Sequence, residues 1–177
     1  MNALRYIVDS LLLVALFFVL ARLLLQLTRA DFRNPLCQAV VRLTNPLILP
    51  LRRVLPPIGK VDTASVVAVL LVAFVKVASY FALNEPAPPA AFWVREMGIE
   101  ILDAMLSMYF WAIIIYALLG LIAPSGISPL QSLLASFCEP VLRPLRRLIP
   151  PMAGIDFSPL WACILIRALM LLLQNFI

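Results

Sequence analysis

Histidine is absent from all 177 residues. That removes imidazole acid–base catalysis, imidazole metal sites and His-ligated haem together. Cysteine is scarce: Cys37, Cys138 and Cys163 form no CxxC and no zinc spacing, and an odd count is no disulfide framework. They read as small apolar fillers in a reducing compartment. Charge is the third shortage. Only 13% of residues are charged, against about 25% in soluble domains. Hydrophobic residues make up 64%, and mean hydropathy is +1.04. A water-soluble fold lacks the polar surface to cover that much apolar side chain, so lipid is the solvent for much of this chain. No nucleophile sits with a base anywhere in the sequence, so neither an enzyme nor a cofactor or metal site is expected.

What is present is one motif written twice, 94 residues apart. Pro46-x-x-x-Pro50-Leu51-Arg52-Arg53-x-x-Pro56-Pro57-x-x-x-x-Asp62 returns as Pro140-x-x-x-Pro144-Leu145-Arg146-Arg147-x-x-Pro150-Pro151-x-x-x-x-Asp156. Residues 35–62 laid on 129–156 give ten identities in 28 positions without a gap. The chain is a tandem duplication.

Four runs reach the roughly 20 apolar residues that a membrane helix needs: about 6–28, 64–83, 99–122 and 158–177. They pair at the repeat offset. The first run lacks a basic start followed by a small-residue cleavage site and ends on Arg29, Asp31 and Arg33, so it reads as a retained span. The expected fold is an all-α membrane protein of four transmembrane helices, arranged as two tandem helix–connector–helix repeats. Residues 1–83 form the first repeat, 84–98 a proline-rich linker (Asn84-Glu85-Pro86-Ala87-Pro88-Pro89), and 99–177 the second. Two spans per repeat make both repeats enter from the same side.

Lys and Arg counts orient the chain. The connector 29–62 holds six and 123–157 holds three, whereas residues 1–5 and 84–98 hold Arg5 and Arg95. Nine against two puts both connectors in the cytoplasm and both termini outside, in a multi-pass protein of the bacterial inner membrane. The net charge of +5 lies mainly in these connectors between apolar runs, which points to anionic headgroups and not to nucleic acid.

Each connector opens with a capping residue and a proline, Asn34-Pro35 and Ser128-Pro129. Polar residues then recur at Gln38, Arg42 and Asn45, and at Ser132, Ser136 and Glu139. That pattern predicts an amphipathic helix lying in the headgroup plane. Pro46 and Pro140 are expected to end it, with a second short turn from Pro50 and Pro144 presenting the paired arginines. Pro56, Pro57, Pro150 and Pro151 close the shape. Asp62 and Asp156 start the second helix of each repeat as carboxylates at a positive helix end, within reach of the arginines. In the second copy Ser158 is the expected cap and Pro159 the first helical residue.

Arg52, Arg53, Arg143, Arg146 and Arg147 have two readings. One is a positive-inside anchor on lipid phosphates, each charge worth about 1 kcal/mol; the other is a docking surface for an acidic partner. Among the charges inside the spans, Asp9, Lys76, Asp103 and Arg167 are expected in the outer half of the bilayer at comparable depth. The economical expectation pairs Asp9 with Lys76 and Asp103 with Arg167, or the reverse, as ion pairs that lock the bundle; the sharper one is a polar path for an ion. Arg22 is near enough to the cytoplasmic end to snorkel.

The repeated motif resembles the YggT (YlmG) family of small bacterial and plastid membrane proteins. The second copy carries the likeness most fully, in Glu139-Pro140-Val141-Leu142-Arg143-Pro144-Leu145-Arg146-Arg147 and Gly154-Ile155-Asp156-Phe157-Ser158-Pro159. The first departs, with Asn45 for the glutamate, Leu49 for the arginine and Lys60-Val61-Asp62-Thr63-Ala64-Ser65 for the later stretch. The resemblance implies a role in osmotic-stress tolerance, in cell division and envelope organisation, or in assembling a membrane cytochrome complex. Two functions follow: a non-enzymatic scaffold or assembly factor for other membrane proteins, with self-association also open, or an ion-handling subunit in osmotic or potassium balance.

Overall fold

The computed structural model describes residues 3–56, 62–82, 89–122, 128–149 and 156–175. Pro57, Pro150, Pro151 and linker residues 84–88 lie outside them. The described residues form six helices and no strand: α1 (Ala3–Leu27), α2 (Pro35–Val54), α3 (Thr63–Ala82), α4 (Ala90–Ile122), α5 (Pro129–Leu148) and α6 (Ser158–Gln174). Segments Ala3–Leu27, Thr63–Phe81 and Ala91–Ile122 are long and apolar enough to cross a membrane. The apolar helix α6 has 17 residues. Leu70, Phe74, Trp111, Leu118, Leu165 and Leu172 are exposed. So many large apolar side chains on the outside mark a membrane protein.

The chain packs as two compact units, Met1–Leu24 with Val40–Met105, and Leu25–Ala39 with Leu106–Ile177. In the first, the core takes Leu16, Val19, Leu20 and Leu24 of α1, with Ile48 of α2. From α3 it takes Ala64, Ser65, Ala68 and Ala73, all with no exposed surface. Small residues at this spacing let backbones approach closely, which is how helices associate where lipid removes the usual hydrophobic drive. In the second unit, Leu134, Phe137, Cys138 and Leu142 of α5 are buried, as are Ala162, Ile166 and Met170 of α6. Tyr109 stacks on Phe137 with ring centres 4.6 Å apart.

α1 ends in a Schellman turn. Ala30 N–H bonds Leu25 O at 2.9 Å and Arg29 N–H bonds Gln26 O at 3.2 Å, which needs Arg29 at φ 54°. Glycine is the usual residue in that conformation. α2 and α5 begin at their caps: Asn34 Oδ1 accepts from Leu36 N–H and Ser128 Oγ from Gln131 N–H. Asn34 Nδ2 also donates to Pro129 O at 2.6 Å and to Ser132 Oγ at 3.2 Å.

Three expectations change. First, Pro46 and Pro140 do not end their helices. α2 runs on through Pro46 and Pro50, and α5 through Pro140 and Pro144, each for 20 residues. All four prolines are exposed, whereas Cys37, Thr44 and Ile48 form the buried stripe of α2 and Leu134, Cys138 and Leu142 that of α5. A proline interrupts one hydrogen bond and crowds the preceding turn; on the outer face the helix can bend away from the core and expose the freed carbonyl. Second, Ser158 is not the cap of α6. The cap position falls on Phe157, and it is Asp156 Oδ1 that accepts from Ser158 N–H at 2.9 Å. The Ser158 hydroxyl is buried and has no hydrogen-bond partner among the described residues. Third, α4 starts at Ala90 and not near 99, because two alanines favour extending the helix.

Candidate functional site

The repeated motif builds the same clasp twice. Ten residues separate Arg52 from Asp62, and again Arg146 from Asp156. In the first unit, α2 continues past Pro50, so Arg52 stands one turn beyond the buried Ile48 and shares its face. Its Nη2 reaches Asp62 Oδ2 at 2.5 Å and its Nε reaches Oδ1 at 3.4 Å. Ser65 Oγ donates to the same Oδ2 at 2.7 Å. Asp62, just before α3, is 4% exposed, and its carbonyl takes Ser65 N–H and Val66 N–H. Burial works to raise the Asp62 carboxyl, but the bonds from Arg52 and Ser65 and the charges of Arg52 and Arg22 outweigh it and hold it below its ordinary value.

In the second unit Arg146 serves two carboxylates. Its Nε donates to Asp156 Oδ2 at 2.8 Å and its Nη1 to Glu139 Oε2 at 3.1 Å. Burial would lower its pKa, but Asp156 and the Tyr116 hydroxyl raise it overall. Asp156 is likewise pulled below its ordinary value, since Ser158 N–H and Arg146 outweigh its partial burial.

Both clasps predict acid sensitivity of one sign. A carboxylate whose folded pKa is depressed contributes stability that is complete above the unfolded pKa, about 3.9 for Asp, and is lost as pH falls through the lower folded value. Thermal unfolding in detergent should therefore be flat from pH 7 to about pH 5 and decline below about pH 4. In an Asp62→Asn, Asp156→Asn double variant that decline should shrink; an unchanged decline would contradict the clasps.

The paired arginines thus divide. Arg52 and Arg146 are held by the aspartates, although the Arg52 side chain is itself 46% exposed, while Arg53, Arg143 and Arg147 are exposed. None of these three enters an ion pair among the described residues.

The two clasps differ in what stands behind them. Arg22 of α1 is 4% exposed and does not snorkel. Its Nη1 donates to Thr44 Oγ1 and Asn45 Oδ1, both at 2.9 Å, and to Val41 O at 3.3 Å. Adding 94 to Arg22 gives Tyr116, and adding it to Asn45 gives Glu139. The first clasp pairs an extra cation with a neutral amide; the second pairs a neutral phenol with an extra anion. Arg22, Arg52 and Asp62 sum to +1, and Glu139, Arg146 and Asp156 to −1. Burial, helped by the nearby Cys163, pushes the Cys138 thiol up to about 12, which leaves it protonated and inert.

A second polar cluster lies in the first unit at the other end of α1. Lys76 Nζ sits 2.6 Å from Glu100 Oε2 and 3.4 Å from Asp9 Oδ1, and Lys76 is 7% exposed. These residues, with Arg5, Val8, Ser79 and Tyr80, line a cavity of about 200 Å³. Arg5 stacks over the Tyr80 ring at 4.5 Å. Glu100 was not legible as a partner from sequence, although it shares a helix face with Asp103 three residues on. Asp103 falls in the first unit, and Arg167 in the second lines an apolar recess with Phe110, Cys163 and Leu171. Among the described residues, no group of three His, Cys, Asp or Glu could hold a metal ion.

Comparison with known proteins gives one family twice. The CCB3/YggT family model matches residues 1–82 and again 96–177. The uncharacterized protein YggT of Escherichia coli K12 is 34% identical over 160 residues, 90% of this chain and 83% of that one. An uncharacterized protein of Pseudomonas aeruginosa is 36% identical over 178 residues, 96% of this chain and 87% of its own. One from Vibrio alginolyticus is 32% identical over 162 residues, 90% and 87%. No solved structure matches the chain.

Proposed function

This chain belongs to the CCB3/YggT family, matched once by each half, and from that premise we propose a non-enzymatic scaffold or assembly factor of the bacterial inner membrane. In this reading α1, α3, α4 and α6 span the bilayer, and α2 and α5 lie at the cytoplasmic headgroup interface with both termini outside. The protein organises other membrane proteins or the envelope, in division or under stress. The observation that carries the reading is the division of labour inside Arg-Arg. One arginine of each pair is held by an aspartate, which fixes the connector, and the other is exposed along with Arg143. A rigid backbone bearing outward guanidiniums suits an acidic face on a partner, since guanidinium pairs bidentately with carboxylate. Lipid phosphates would occupy the same groups where no partner sits.

The test separates shape from docking. Crosslinking and pull-down from native membranes should recover a defined membrane complex with wild type. With Arg53→Ala, Arg143→Ala and Arg147→Ala combined, recovery should fall about tenfold while insertion and thermal stability stay unchanged. If the triple variant recovers the same complex, or wild type recovers only its own copies, the scaffold reading is wrong.

The alternative, ion handling, draws on the Lys76 cluster. It would be supported by a liposome conductance that changes on Asp9→Asn with Asp103→Asn. Against it stands the charge balance of the cavity, where Arg5 and Lys76 cancel Asp9 and Glu100.

A further inference from the structure

The cavity between α1, α3 and the start of α4 has a position, a size and a charge pattern, and the three point to one kind of occupant. Position comes first. Lys76 is about two turns from the end of α3, and Glu100 lies about three turns into α4, after Arg95 and Glu96. Aromatic rings gather at this end of the unit: Trp93 lies 5.6 Å from Phe74 and 5.3 Å from Phe81, and Tyr80 is 5.2 Å from Phe81. Tryptophan and tyrosine settle at the boundary between hydrocarbon and water. The cavity therefore sits at headgroup depth, open to the molecules that fill that layer.

Charge decides the ligand class. Two cations, Arg5 and Lys76, and two anions, Asp9 and Glu100, line one space of about 200 Å³. A lone ion of either sign meets as much repulsion as attraction there. A molecule carrying both charges, separated, can use both sets. Within the cluster the pairing is uneven: Glu100 is tight against Lys76 at 2.6 Å, while Asp9 stands off at 3.4 Å with its side chain 49% exposed. The half-exposed Asp9 carboxylate thus keeps acceptor capacity beside the cavity that it lines. An ammonium has three donors, and these carboxylates take two. The Arg5 guanidinium stacks its face on the Tyr80 ring at 4.5 Å, and its positive charge borders the same cavity as Lys76. Ser79 is already committed, its hydroxyl donating to Lys76 O at 2.7 Å. The volume corresponds to about seven waters at about 30 Å³ each, and phosphoethanolamine has about eight heavy atoms.

We propose that this cavity receives the zwitterionic headgroup of a membrane phospholipid, with its phosphate against Arg5 and Lys76 and its amine against Asp9. The proposal needs the helices to lie in a bilayer and is independent of any partner docked on the arginines.

Native mass spectrometry of the protein released from mild detergent, with thermal shift on added lipid, tests it. Phosphatidylethanolamine should stay bound at one copy and raise the unfolding temperature, with about tenfold preference over phosphatidylglycerol. Asp9→Asn should abolish that preference, and Lys76→Met should remove the bound lipid. Methionine is the residue the second half holds at the matching position, Met170, so the helix tolerates it; should Lys76→Met still misfold, Asp9→Asn decides alone. Equal binding of the two lipids, with Asp9→Asn silent, would reduce the effect to ordinary annular lipid and overturn the proposal. Free phosphoethanolamine protecting as well as the whole lipid would overturn it too, by making the ligand a soluble one.

Discussion

Asp62→Asn is expected to destabilise the protein in detergent by about 2–3 kcal/mol, and Asp156→Asn by less than about 1 kcal/mol. The motif is the same and the two aspartates occupy equivalent positions, so the difference comes from surroundings. The Asp62 side chain is 5% exposed, and it is the counter-charge for Arg52 with buried Arg22 close by. Taking its charge away leaves two guanidiniums in one cluster without an anion. Arg52, at 46% exposed, can partly recover by turning to solvent, which keeps the loss below that of a fully buried pair. Asp156 is 36% exposed, and Arg146 keeps Glu139 when Asp156 is neutralised. Thermal unfolding of the two variants side by side is the measurement. Equal losses would mean that the clasps are equivalent and that Arg22 plays no part in the first.

The second large effect is a coupling. Asn45→Ala should cost about 1–2 kcal/mol, because it strips one of three oxygens from a buried guanidinium. In an Arg22→Met background the same change should cost little, giving a coupling near 1 kcal/mol in a double-mutant cycle. Thr44 survives the loss of Arg22, since its hydroxyl already donates to Val40 O at 2.7 Å. Asn45→Glu, the residue of the second half, should stabilise the first by supplying the carboxylate that Arg22 lacks. Additive single losses, or a destabilised Asn45→Glu, would sink this account.

These two effects mark where the sequence was legible and where it was not. Long apolar runs announced α1, α3 and α4, and the Asn34-Pro35 and Ser128-Pro129 pairs announced the first residues of α2 and α5, because caps and apolar length are local properties. The split between Arg52 and Arg53 depends on a helix that continues through Pro46. Reading Pro46 as a stop cut the buried stripe Cys37, Thr44, Ile48 before it could be extended, and extended by one turn it lands on Arg52. The effect of a proline depends on which face of the helix it occupies as well as on its chemistry. The acceptors of Arg22, namely Val41, Thr44 and Asn45, are about 20 residues away in sequence. No period within α1 reveals them. Glu100 was missed for a related reason: its partner Lys76 lies on another helix, and a charge at a span edge looks like ordinary solvation.

The lengths of α4 and α6 have a mechanical consequence. At about 1.5 Å per residue, the 33 residues of α4 measure about 50 Å and the 17 of α6 about 26 Å, beside a hydrocarbon layer of about 30 Å. In the four-span arrangement one bilayer must accommodate both. In that proposed arrangement the excess of α4, with Arg95 and Glu96, would stand clear of the hydrocarbon, and the leaflets would draw together around α6. With four spans, the protein is expected to favour thin bilayers and its distribution to follow acyl-chain length, collecting where lipids are short.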